Sequence, residues 1–143
     1  MGLIDIDRIP SIITNCSKRL KLILKSNLYS MSEEYAILIL VILSQFIYAK
    51  YSKYGIIKNN NKVEMLPSYI RDAFKDIKFY NYAVSIITLR NKVCHDYGSE
   101  DTNVRLEIFK DETDKLKEFL EFVLEEDKQE SSLDKLFTKA KDN

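Results

Sequence analysis

The chain has 143 residues, 45% hydrophobic and 31% charged, with a formal net charge of zero at neutral pH. This length and balance fit one domain with a real core and exclude a largely disordered polymer. Only three glycines and two prolines occur, which argues against an all-β fold with many tight turns and for long helices.

In chain order, Ile9, Ile12, Ile13, Cys16, Leu20, Ile23 and Leu24 recur at steps of three and four. Lys18, Arg19, Lys21 and Lys25 fall on the opposite side. That spacing predicts an amphipathic helix, with Pro10 in the first turn, where proline is tolerated. Asn27 to Ser30 reads as a turn. Ser30-x-x-Glu33 offers a capping box and Ser32 a rival cap. A second helix then runs to about Tyr51 or Tyr54. Its apolar run from Ala36 through Leu43, resumed at Phe46 and Ile47, is shorter than the roughly 20 residues that span a bilayer. A helix buried on most sides explains it.

Lys58 to Lys62 is a polar loop. Pro67-Ser68 opens a short helix with Ile70, Phe74 and Ile77 inward. Phe79-Tyr80-Asn81 breaks that phase, and Asn81 can cap the next helix. That helix is expected from Tyr82 to about Asp96, burying Val84, Ile87 and Leu89 or Val93. Gly98 and Ser99 end it. Asp101 or Thr102 then caps a strongly amphipathic helix through about Glu126, with Leu106, Phe109, Leu116, Phe119, Leu120, Val123 and Leu124 inward. Gln129 to Ser132 is a hinge, and Leu133, Leu136 and Phe137 form a last short turn or dock on a partner. The expected architecture is all-α: an up-and-down four-helix bundle with an additional short helix. One domain covers residues 1–130, and residues 131–143 are a partly frayed extension.

Charge is uneven along the chain. Residues 1–95 hold fourteen Lys/Arg against seven Asp/Glu, and residues 96–143 hold eight against fifteen. The first part can attract an anionic polymer, although an acidic solvated helix face explains the second part equally well. Cys16 and Cys94 are too few for a disulfide framework and have no zinc spacing. Reduced thiols, a cytoplasmic location, no membrane, no signal peptide, no metal and no cofactor are expected.

The most informative stretch is Leu89 to Gly98, which holds the only histidine, His95. Arg90 stands five positions before it, Asn91 four before it and Tyr97 two after it. An imidazole can act as base or acid near neutral pH. A guanidinium supplies fixed charge and paired hydrogen bonds to phosphate oxygens. Together they can promote attack of an RNA 2′-hydroxyl on its own phosphodiester without a metal, a reaction that DNA cannot undergo. Five helical steps turn about 500°, leaving Arg90 and His95 roughly 140° apart around the axis. Asn91 and His95 share a face. Either Arg90 wraps round, or two copies of the motif complete each other across a two-fold axis. Each residue also has a structural reading. His95 can cap a helix end, Arg90 can pair with an acid of the last long helix, and Tyr97 can pack beneath the Gly98 turn.

The pattern Arg-Asn-x-x-x-His-x-Tyr resembles the signature of the HEPN superfamily of helical-bundle proteins. The His-x-Tyr extension is similar to that of its HepT-like toxins. The stretch Leu66 to Phe74 looks like the short helix before the motif in that family, and Val104 to Glu126 like its closing helix. The resemblance covers about residues 10–126, with its clearest part from Leu66 to Leu124. It implies a metal-independent endoribonuclease toxin, active as a homodimer and paired with a minimal nucleotidyltransferase antitoxin. Arg90 would then bind the phosphate, Asn91 would orient His95 or substrate, and His95 would be the general acid or base. Tyr97 would be the AMPylation target, where added bulk and negative charge would repel RNA. The alternative is a non-catalytic helical module that partners a nucleotidyltransferase, and a purely structural protein stands behind both. A weaker expectation is an RNA-contact edge of Lys50, Lys53, Lys58, Lys62 and Lys92, with Tyr48, Tyr51 and Tyr54. The tyrosine spacing also suits a partly buried stripe.

Overall fold

A computed structural model describes residues 8–52 and 77–125. They form five helices and no strand. These are α1 (Ile9–Lys25), α2 (Glu33–Ser52), α3 (Ile77–Asp96), α4 (Glu100–Asp111) and α5 (113–125). The polar loop, the short helix at Pro67, Lys53, Lys58, Lys62, Tyr54 and the C-terminal extension lie outside the described residues.

The expected faces of α1 and α2 are buried. Ile9, Cys16, Leu20 and Ile23 turn inward on α1, while Lys18, Arg19, Lys21 and Lys25 stay exposed. Ser32 rather than Ser30 caps α2: its Oγ accepts from the Tyr35 N–H at 3.1 Å. Ser30 instead takes a positive φ of 56° in the turn. The α2 helix is the centre of the fold. Ile39, Leu40, Ile42, Leu43, Phe46 and Ile47 are all buried along it. It packs against α1, α3 and α4, so its apolar residues cover most of its circumference. No helix among the described residues is long and apolar enough to cross a membrane.

Two boundaries differ from those expected. The α3 helix is already formed at Ile77, the first residue described in this stretch, and runs through Asn81 without a break. Phe79 stacks on Phe122 at 4.2 Å between centroids and 11° between planes, and Tyr82 lies 5.0 Å from Phe119. Those ring contacts to α5 anchor this stretch of α3, so the phase shift at Phe79–Asn81 does not interrupt the helix. The long closing helix is divided at Glu112, which leaves the helical region at φ −91° and ψ 50°. Its N–H still bonds the Ile108 carbonyl at 3.1 Å, and its own carbonyl accepts from Leu116 at 3.1 Å. The break lets Leu106 and Phe109 on one side and Leu116, Phe119, Leu120 and Val123 on the other reach the same core. The cap of α4 is Ser99, whose Oγ accepts from the Thr102 N–H at 3.2 Å. Gly98, at φ +92°, makes the preceding turn without the steric penalty a side chain would meet.

Candidate functional site

The C-terminal turns of α3 carry the motif. Asn91 is half-buried and His95 exposed, one turn apart on the same side of the helix. Val84, Thr88, Asn91 and His95 follow one another at steps of four, three and four, a line of partial exposure along α3. Arg90 is half-buried and points its Nη1 to Asn91 Oδ1 at 3.5 Å, the outer limit of a hydrogen bond. No hydrogen bond joins Arg90 to His95, and no ion pair holds Arg90, among the described residues. The first result follows from the 140° offset.

The structure adds two residues. Tyr48 of α2 is buried, and its hydroxyl has no well-formed hydrogen bond among the described residues. Burial pushes its pKa up, while the nearby Arg90 guanidinium and Asn91 amide pull the other way. The amide of Asn91 therefore lies near the phenol. Val41 and Tyr48 are seven residues apart and lie on one line of α2, with Leu38 beside them at 47% exposure. Tyr48 is where this α2 line meets the Asn91 line of α3.

The second added residue is Glu33, at the start of α2. Its Oε2 accepts the Tyr97 hydroxyl at 2.8 Å. Tyr97 is 59% exposed and does not pack under the Gly98 turn. Its pKa is raised, first by this hydrogen bond and then by the charge of Glu33. Position 97 is therefore an accessible phenol held by a carboxylate. Nothing local in the sequence links two residues 64 positions apart, so pattern reading missed the pair. The line through Val41 and Tyr48 was at least available as a heptad spacing.

The proposed lysine edge needs correction. Lys50 is 1% exposed, and its Nζ donates to the Val123 carbonyl at 3.1 Å, lying 5.4 Å from the Phe46 ring centroid. It ties α2 to α5 and offers no charge to RNA. Tyr48, its supposed stacking partner, is equally buried. Lys92 is part-exposed and bonded to Asp101 Oδ2 at 2.6 Å, a carboxylate also bonded by Arg105 at 3.1 Å. The Lys92 bond, ahead of Arg105, holds the Asp101 carboxyl below its ordinary range. Lys92 is therefore already engaged by a carboxylate, which it shares with Arg105. Among the described residues no cluster of histidine, cysteine and carboxylate side chains could hold a metal.

No family model, curated protein or solved structure matches this chain.

Proposed function

We propose that this chain is a HEPN-like, metal-independent endoribonuclease of the toxin–antitoxin kind, working as a homodimer. The observation that carries the reading is the half-open line of Asn91 and His95 on α3, with Arg90 beside Asn91. A single copy offers an acid–base group and a phosphate-binding group on different sides of one helix. A second copy laid on the same face supplies the missing member of each pair. The apolar residues Leu38 and Val41 near that face supply contact area for such a copy.

In this reading His95 takes the proton from the RNA 2′-hydroxyl or gives one to the leaving 5′-oxygen. Arg90 holds the non-bridging oxygens and stabilises the charge that builds on them. Asn91, one turn before His95 on the same side of α3, orients His95 or the substrate. Tyr97 is the modification candidate, reached from solvent, and a minimal nucleotidyltransferase is the proposed partner. A nucleotide placed on it would put negative charge just past the end of the helix that carries the phosphate-binding Arg90.

The test uses purified full-length chain, RNA and excess chelator. Cleavage by the wild type that is lost in His95→Ala supports the reading. An inert wild type, or equal cleavage by the variant, overturns it. An inert chain that still forms a stable complex with a nucleotidyltransferase would identify the non-catalytic module instead.

A further inference from the structure

A second feature of the surface lies away from the motif. The outer side of α4 presents Val104 and Ile108, 52% and 51% exposed, one turn apart. They floor a shallow groove of about 500 Å³ lined also by Gly98, Glu100, Glu107 and Asp111. At 100° per residue, Glu100, Val104, Glu107, Ile108 and Asp111 fall within one wedge of about 100°. The groove therefore has an apolar floor and a rim of carboxylates, with no cation in its lining. Among the described residues Glu107 pairs with Lys110, and no ion pair involves Glu100 or Asp111. RNA would be repelled by such a rim.

The complement of this face is on the same chain. Leu22 of α1 is 69% exposed, the most exposed large apolar side chain described. Lys18, Arg19 and Lys25 are all exposed and lie within about 60° of it around the α1 axis. None of the three makes an ion pair among the described residues. One apolar knob ringed by three unpaired cations thus matches an apolar groove rimmed by three carboxylates.

We propose that the outer face of α4 is a docking groove for α1 of a second copy of this chain. The contact is heterologous, joining two different surfaces. It is independent of the dimer proposed around α3 and can extend it into larger assemblies. Its small apolar area and exposed charges make it weak and strongly dependent on salt.

Sedimentation velocity of the full chain across a concentration series, at about 50 mM and about 500 mM salt, tests this. The expected result is a mass that rises with concentration beyond that of the α3 dimer at low salt. The association constant should be about tenfold weaker at high salt, where the charges are screened. Leu22→Glu and Ile108→Lys should each abolish the rise. Mixing the two variants should restore a single contact, because one chain keeps its groove and the other its knob. Lys18→Glu and Glu107→Lys, both on exposed helix positions, provide the same crossed pair should either apolar variant melt early. A chain whose mass does not grow beyond a dimer with concentration at low salt leaves the groove to a foreign basic segment and overturns the proposal. So does a mixture that fails to restore association, which would point to like-with-like contacts.

Discussion

The two ends of α3 are built on opposite plans. The first half is locked: Phe79 stacks on Phe122, Tyr82 meets Phe119, and Tyr80, Ala83, Ile86 and Ile87 are buried. The last turns hold Arg90, Asn91, Lys92, His95 and Asp96, none of them buried. One half contributes dispersion and area removed from water. The other carries groups that would be costly to bury unpaired. The proposed chemistry needs its reacting groups accessible and its scaffold rigid, and a single helix would supply both.

The sharpest test of that contrast is stability. Phe119→Ala should cost about 3–5 kcal/mol, because Phe119 is fully buried between Phe79 and Tyr82. Urea unfolding should show the midpoint fall sharply or the transition disappear. His95→Ala should move the same midpoint by no more than about 0.5 kcal/mol. Comparable losses from the two variants would erase the distinction between the halves.

Chemistry should run the other way. In chelator, His95→Ala should lower RNA cleavage by about a hundredfold or more. Arg90→Lys should cost about a hundredfold, since an ammonium keeps the charge but not the planar fork. Both variants should melt with the wild type. Phe119→Ala chains that remain folded in the cold should keep their cleavage.

Smaller effects distinguish two buried phenols. The Tyr48 and Tyr82 hydroxyls are both buried without a hydrogen bond among the described residues. Burial, with Glu112 nearby, pushes the Tyr82 pKa well above its usual value. Replacing either by phenylalanine removes an unsatisfied polar group, so stability should hold or rise by up to about 1 kcal/mol. Only Tyr48→Phe should shift the side-chain amide resonances of Asn91. An equal shift in Tyr82→Phe would show that the amide reports general packing.

The gentlest probe is pH. The bond to Glu33 raises the Tyr97 pKa in the folded chain. Its contribution to stability is therefore complete below the unfolded tyrosine value of about 10. It fades as pH rises through the folded value. Glu33→Gln should bring Tyr97 back towards that ordinary value in an NMR titration. An unchanged titration would mean that the bond does not persist in solution.

Much of the helical layout was legible in the sequence because burial on a helix repeats every three to four residues. Leu106, Phe109, Leu116, Phe119, Leu120, Val123 and Leu124 are buried as their spacing required. The continuity of α3 through Asn81 was not legible. Asn81 is a fair capping residue, and ring contacts with α5 pack the helical turn that contains it. The division at Glu112 was likewise hidden, since the apolar spacing on either side suits one continuous helix. Within the site, the shared face of Asn91 and His95 follows from helix geometry alone. The burial of Lys50 does not, because a lysine at that position is solvated in most surroundings. Here its ammonium reaches a carbonyl of α5.

By itself, then, the order of residues determined the helical class, the inward faces and the placing of Asn91 and His95 together. Those follow from local periodicity, which a chain carries wherever it goes. Only the tertiary structure decided that Tyr48 meets Asn91, that Glu33 holds Tyr97 and that Lys50 is withdrawn from solvent. Each of these joins positions far apart in the chain. Such pairings depend on how the helices sit against one another, and that is set by the packing of the whole core.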